Sequence, residues 1–230
     1  MIVTIDGPAG AGKSSVARLV AAHLGFRFLD TGAMYRAVTL AALRAGLKGT
    51  DSERVHQLAE GLSLELRGPR TILNGQDVSS EIRTPEVSSH VHLAADNAKV
   101  RQLLVEMQRR WAGETDVVAE GRDQGTVAFP QAECKIFLTA SAGERARRRH
   151  AELVQQGQGV TFEEVLAQQE ERDRRDASRP VGALIRAEDA VEVVTDGLTF
   201  EQVVDKLVEI VKERQAELRP AQAMNFDQRS

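Results

Sequence analysis

The chain has one cysteine, Cys134, in 230 residues, so it can form no internal disulfide and fits a cytoplasmic setting. That cysteine lies in the apolar stretch 134–138, where it reads as a small buried side chain rather than a nucleophile. Uninterrupted apolar runs are short, and none approaches the roughly eighteen residues that a membrane-spanning helix needs. The N-terminus passes straight into Ile2 and Asp6 with no basic segment ahead of an apolar one, which argues against a secretory signal. Metal-ligand spacing is lacking too: His23, His56, His90 and His150 read as structural or surface groups. Lysine is scarce, six against 24 arginines, and a net charge of −4 gives no reason to expect nucleic acid as a partner. What is present, 42% hydrophobic and 28% charged residues, suffices for one compact unit with room for a small subdomain.

The most informative segment is Gly7-Pro8-Ala9-Gly10-Ala11-Gly12-Lys13-Ser14, which fits G-x-x-x-x-G-K-[ST] between an apolar run at 2–5 and a helical pattern. Its glycines let the backbone turn tightly, so that consecutive N–H groups converge on phosphate oxygens. Lys13 then reaches the outer phosphates, and the Ser14 hydroxyl, with Ser15 beside it, stands at the metal side of the nucleotide. The following helix points its positive end at the same anion. These residues are expected to bind a nucleoside triphosphate.

Strands and helices alternate along the chain. Residues 2–5 read as a buried strand and 14–24 as a helix, with Val16, Leu19, Val20 and His23 at helical spacing. A short strand is expected at 26–29, a helix at 33–45 ending before Gly46, and buried strands at 115–119 and 135–138. Val203, Val204, Leu207, Ile210 and Val211 mark one face of a last helix, opened by Thr199 with Gln202 at capping-box spacing. Short apolar strands separated by helices predict a parallel sheet covered on both faces. Residues 216–230 lose periodicity and read as a loose tail. One stretch breaks the alternation: 62–66 and 71–78, joined by the turn Arg67-Gly68-Pro69-Arg70, predict a small antiparallel insertion of two strands.

Further groups fall where parallel sheets place their ligand crevice, at the carboxyl ends of strands. Asp30-Thr31-Gly32-Ala33-Met34-Tyr35-Arg36 follows one strand, and Glu120-Gly121-Arg122-Asp123 follows another. Arg36 suits a bidentate phosphate contact or, alternatively, simply covers a helix surface. Glu120 can hold Mg²⁺ through a water, in the manner of the acidic residue after a second P-loop strand. Residues 145–186 carry nine arginines, seven acids and no lysine, in two knots joined by a helix from 162 that Thr161 and Glu164 would cap. Beside a phosphate site, such a hairpin reads as a lid whose arginines stabilise transferring charge and whose closure excludes water.

Together these pieces resemble the nucleoside monophosphate kinases, and among them the bacterial cytidylate kinase family, over residues 2–212. The specific elements are Leu29 to Arg36, Glu81-Ile82-Arg83-Thr84, Glu120 to Thr126, and Glu171-Arg172-Asp173-Arg174-Arg175-Asp176 with Arg179. The resemblance implies an α/β P-loop NTPase fold of three layers, α/β/α, with a central parallel sheet. Its core would be 1–30, 115–145 and 190–215. A β-rich NMP-binding subdomain would span 31–112, with its β insertion at about 62–80, and an Arg-rich helical lid would span 146–186. It further implies transfer of the γ-phosphoryl group of MgATP to CMP and dCMP by a cytoplasmic monomer. Thr31, Arg101, Asp123 and Arg179 would surround the cytosine, Tyr35, Arg36 and Arg122 would line the acceptor phosphate, and Arg172 and Asp176 would lie near the pentose. Lys13, Arg122, Arg172 and Arg175 would act on the transferring group, Arg148 would bind the donor nucleotide, and Ser14 and Glu120 would hold Mg²⁺. The chain departs from the family pattern at His92, where a small Ser is usual, and at Ala98, where Pro is usual. Two other readings stay open from the residues alone: a P-loop kinase for another acceptor such as UMP, AMP or shikimate, and a non-catalytic nucleotide switch.

Overall fold

A computed structural model describes residues 1–155 and 157–226, with side chains described through Leu218. Five parallel strands form the central sheet: β1 (Ile2–Asp6), β2 (Arg27–Asp30), β6 (Val117–Glu120), β7 (Cys134–Thr139) and β8 (Val191–Val194). Their order is β2-β6-β1-β7-β8, so the strand leading into the phosphate loop sits in the middle. Alternate residues of each strand face opposite layers. Val117 and Ala119 point into one core with Leu29, while Val118 joins Val3, Ile5, Ile136 and Leu138 in the other.

The second core is roofed by α1 (Lys13–Leu24) and α9 (Phe200–Phe226). Helix α1 ends at Gly25, whose left-handed φ of 69° lets Phe26 N–H reach back to the Ala21 carbonyl at 2.9 Å. At the start of α9, Thr199 and Gln202 exchange backbone and side-chain hydrogen bonds as the capping-box spacing predicts. That helix also corrects an expectation: it continues through Phe226, so residues 216–226 are helical rather than a loose tail, and 227–230 lie outside the described residues.

The first core is covered by α2 (Thr31–Arg44), α3 (Ser52–Glu60), α5 (His92–Ala95) and α6 (Ala98–Ala112), with α4 (Pro85–His90) nearby. Helices α3 to α6 were not predicted one by one. They share a buried cluster with β2 and β6, so much of the segment 31–112 is packed onto the central sheet. A smaller cluster joins α2 to an antiparallel sheet through Leu40, Leu73, Val78 and Ile82. That sheet has three strands rather than two: β3 (Leu64–Arg67), β4 (Arg70–Leu73) and β5 (Gln76–Asp77). Asn74 and Gly75 take positive φ of 48° and 80°, the requirement of a tight hairpin, and so end the strand expected to run through Val78. The edge strand β8 is also absent from the sequence reading.

Helices α7 (Ala142–Gln155) and α8 (Phe162–Ser178) form a hairpin over the carboxyl ends of the strands. Thr161 and Glu164 make the predicted capping box. The hairpin has a satellite core of Ala146, Leu153 and Val165.

Candidate active site

The phosphate loop leaves the central strand at Gly7, where a side chain is impossible. A Cβ there would stand 1.9 Å from the Leu138 carbonyl oxygen, and φ is 147°. The loop then folds back on itself: Lys13 Nζ donates to the Pro8 carbonyl at 2.7 Å. Parallel register pairs Ile5 with Glu120, which brings the end of β6 beside the loop. Hence Ser14 Oγ donates to Glu120 Oε2 at 3.0 Å, and Lys13 Nζ lies 3.9 Å from Glu120 Oε1. Burial lowers the Lys13 pKa to about 7, helped by the nearby Arg122 cation, and burial raises that of Glu120.

Facing this loop is a set of cations and carboxylates around one cavity of about 310 Å³. Arg101, on α6, and Asp123, after β6, form an ion pair with both residues only 3% exposed. Burial raises the Asp123 pKa, and the Arg101 guanidinium opposes that shift. The Arg101 guanidinium also lies 5.3 Å from the centre of the Tyr35 ring, whose hydroxyl burial pushes up to about 12. Arg122 Nε donates to Asp176 Oδ2 at 2.9 Å, and Arg179 Nη2 donates to Asp176 Oδ1 at 2.7 Å. Arg179 Nε reaches Asp96 Oδ1 at 2.7 Å, which ties the α8 end to α5.

Arg36 and Arg172 line the same cavity and make no hydrogen bond or ion pair with any described residue. Burial lowers the pKa of both, that of Arg172 to about 10 with Arg122 adding to the effect. Half-buried guanidinium groups that repel one another and lack partners make a strong seat for an anion with several negative oxygens.

Most residues singled out in the sequence meet here. Ala9, Gly10, Gly12, Lys13, Ser14, Ser15, Thr31, Tyr35, Arg36, Arg101, Glu120, Arg122, Asp123, Arg148, Arg172, Asp176 and Arg179 all line the cavity. Gly7, Pro8 and Ala11 are buried in the same loop and do not line the cavity. Thr31 has its hydroxyl committed, donating to the Glu120 carbonyl at 2.6 Å. Arg148 is held by Glu144 at 3.0 Å and by the Thr195 carbonyl at 3.1 Å. Arg175 is not brought to the cavity; it is exposed, 3.7 Å from Glu171. Val165, Gln169, Arg172 and Asp176 share the inner stripe of α8, and Arg175 falls on its rim. His92 lies outside the cavity lining, its Nδ1 3.2 Å from the Ser89 carbonyl. Cys134 is buried, with its thiol pushed up to about 11 by that burial.

The sequence reading missed Arg145. It is buried, donates to the Ala9 carbonyl at 3.0 Å, and pairs with Asp173 at 2.7 Å, so it joins the phosphate loop to α8. Four arginines crowd positions 145–149, and nothing local tells the inward one from the rest. Asp96 was missed for the same reason, as an exposed acid whose partner lies 83 residues away.

A central parallel sheet, a glycine loop with its lysine before a helix, and an arginine hairpin over both define a P-loop kinase. Comparison with known proteins narrows the class. The cytidylate kinase family model matches residues 3–213. A cytidylate kinase from Rhodopirellula baltica is 51% identical over 93% of this chain and 93% of its own length. Another from Carboxydothermus hydrogenoformans is 49% identical over 92% of this chain and 97% of its own. Among solved structures, an uncharacterized protein from Eubacterium ventriosum superposes with a TM-score of 0.50 at 11% identity, over 92% of this chain and 98% of that one, which shows the shared fold alone. The chain belongs to the cytidylate kinase family.

Proposed function

We infer that this chain transfers the γ-phosphoryl group of ATP to CMP, giving CDP and ADP, with dCMP as a second acceptor. The observation that carries the reading is a single cavity shared by a phosphate loop, unpaired arginines and a buried Arg101–Asp123 pair. The phosphate loop and Lys13 take the donor triphosphate, and Arg36, Arg122 and Arg172 take the acceptor phosphate. Charge then accumulates between two sets of cations, and preorganised cations there stabilise the transition state.

The acceptor attacks in line, without a covalent enzyme intermediate. Its phosphate is already largely ionised at neutral pH, with a second pKa of about 6, so no general base is required. Ser14 and Glu120 offer a hydroxyl and a carboxylate within 3.0 Å of each other, hard oxygen donors that fit Mg²⁺ bound directly or through water. When bound, Mg²⁺ neutralises phosphate charge. Closure of residues 146–186 over the cavity would exclude water as a competing acceptor.

The buried ion pair supports cytosine as the base. Asp123 suits the exocyclic amine, and Arg101 suits the ring acceptors. Uracil would turn a carbonyl oxygen toward Asp123, and a site built on such a hydrogen bond rejects the analogue by up to about 10⁴-fold. In this reading 31–112 holds the acceptor, and the enzyme works as a cytoplasmic monomer. No described helix is long and apolar enough to cross a membrane.

The test is ADP release from MgATP with CMP, dCMP, UMP and AMP offered separately. Turnover with CMP far above UMP is expected, and equal turnover of the two would sink the role of Asp123. Turnover with none would refute the acceptor site as a whole.

A further inference from the structure

We propose that Asp6 is a positioning residue for the acceptor site, fixing the turn after β6 so that Arg122 and Asp123 face the cavity in one arrangement. The proposal rests on the reading of Arg122 and Asp123 as acceptor-site groups. Asp6 is the last residue of the central strand, is only 5% exposed, and does not line the cavity. Its carboxylate grips two consecutive backbone amides 118 and 119 residues further along the chain. Oδ1 accepts from Gln124 N–H at 2.9 Å, and Oδ2 accepts from Gly125 N–H at 2.7 Å.

Those amides open the wide helical turn Gln124–Ala128, whose first N–H groups have no partner within the turn. A preceding aspartate would ordinarily cap them itself. Here Asp123 makes no such cap, because its carboxylate is spent on Arg101. Asp6 takes over the capping from the neighbouring strand and so leaves Asp123 to the site. The fit is close: a Cβ on Gly125 would stand 2.9 Å from Thr4 Oγ1 and 3.4 Å from Asp6 Oδ2. Two further bonds hold the approach to the turn, Gly121 N–H to the Ile5 carbonyl at 3.1 Å and Thr31 Oγ1 to the Glu120 carbonyl at 2.6 Å. Arg109 holds the far end of the turn, donating to the Ala128 carbonyl at 2.7 Å and the Val127 carbonyl at 2.8 Å, so it is the first residues after Asp123 whose amides depend on Asp6. A carboxylate is an expensive group to bury, and burial raises its pKa to about 7 even against two amide hydrogen bonds. An ordinary core position would carry an apolar side chain.

The test substitutes Asp6→Asn, whose amide can accept from one N–H but turns its own donors toward the other. Kinetics with CMP, UMP and ATP are measured beside thermal unfolding. The KM for CMP is expected to rise about tenfold and the CMP-over-UMP preference to narrow by a similar factor, as a mispaired buried donor displaces the turn. The KM for ATP is expected to stay within about twofold. Equal rises in the CMP and ATP constants, or an unchanged preference for CMP, would overturn the proposal in favour of a merely structural role. Failure of the unsubstituted chain to phosphorylate CMP would instead refute the acceptor-site reading, so the two failures are distinct. Hydrogen exchange in the unsubstituted chain decides the matter if Asp6→Asn does not fold. CMP should slow exchange at the Gln124 and Gly125 amides and UMP at the same concentration should not; amides indifferent to CMP would overturn the proposal.

Discussion

The phosphate loop and the arginine hairpin face each other across one cavity but are held in opposite ways. The loop is mounted on β1 and α1, which share a core of fifteen buried residues, among them Val3, Ile5, Val20, Leu138 and Leu207. The hairpin has three buried apolar residues and is held down by polar bonds, Arg145 to the Ala9 carbonyl, Arg122 to Asp176, and Arg179 to Asp96. Apolar burial on the loop side is indifferent to ligand. The arginine pairs on the hairpin side face competition from any phosphate that enters. One wall of the site is therefore permanent and the other negotiable, and segments with few buried apolar contacts are the ones that open locally.

Removing the central cation of the fixed wall is expected to have the largest effect. Lys13→Met preserves much of the side-chain volume and should lower turnover by about 10²–10³ while leaving thermal unfolding nearly unchanged. Unimpaired turnover would show that the loop lysine does not act on the transferring group. The stability contrast can be tested with a matched pair of leucines. Leu138→Ala in the sheet core should cost about 2–5 kcal/mol of global stability in denaturant unfolding. Leu153→Ala in the hairpin should cost far less globally and should instead speed local opening, read by hydrogen exchange over α7 and α8. Equal global losses would erase the distinction between the two walls.

A smaller effect is expected from Asp96→Asn, which weakens the tie between Arg179 and α5. Because Asp96 is partly exposed, kcat/KM should fall only about threefold, and the loss should shrink at high salt. The finest test is a proton count. Free Lys13 titrates at about 7, and a triphosphate favours its charged form, so binding above pH 7 draws in up to one proton and binding below pH 6 draws in none. Calorimetry of MgATP binding at pH 8.5 in buffers of different ionisation enthalpy should show this uptake, and Lys13→Met should lack it. Uptake that is the same with and without the lysine would place the proton elsewhere.

Legibility in the sequence followed the range of the interaction. The glycine loop, the capping boxes at Thr161 and Thr199, and the alternation of short strands with helices could all be read, because each depends on residues a few positions apart. Asn74-Gly75 carried a hairpin signal within two residues, yet it was placed inside a strand, a misjudgement of a legible turn. The helices over 52–112 were obscured because their apolar stripes are divided between the main core and α2. Arg175 looked equivalent to Arg172 because adjacent knots of charge do not announce which member turns inward.

The amino-acid sequence by itself determined that a phosphate-binding turn follows a buried strand, that the frame is a parallel α/β sheet, and that arginines gather in two knots. Those features are local, set by backbone freedom at glycine, helical periodicity and side-chain charge. Only the tertiary structure decided that Glu120 stands beside Ser14, that Asp123 pairs with Arg101, and that Arg179 fastens to Asp96. It likewise placed the Asp6 carboxylate under amides more than a hundred residues away. The physical reason is strand order: β6 lies next to β1 although 110 residues separate Asp6 from Val117, and no local pattern encodes which strands become neighbours.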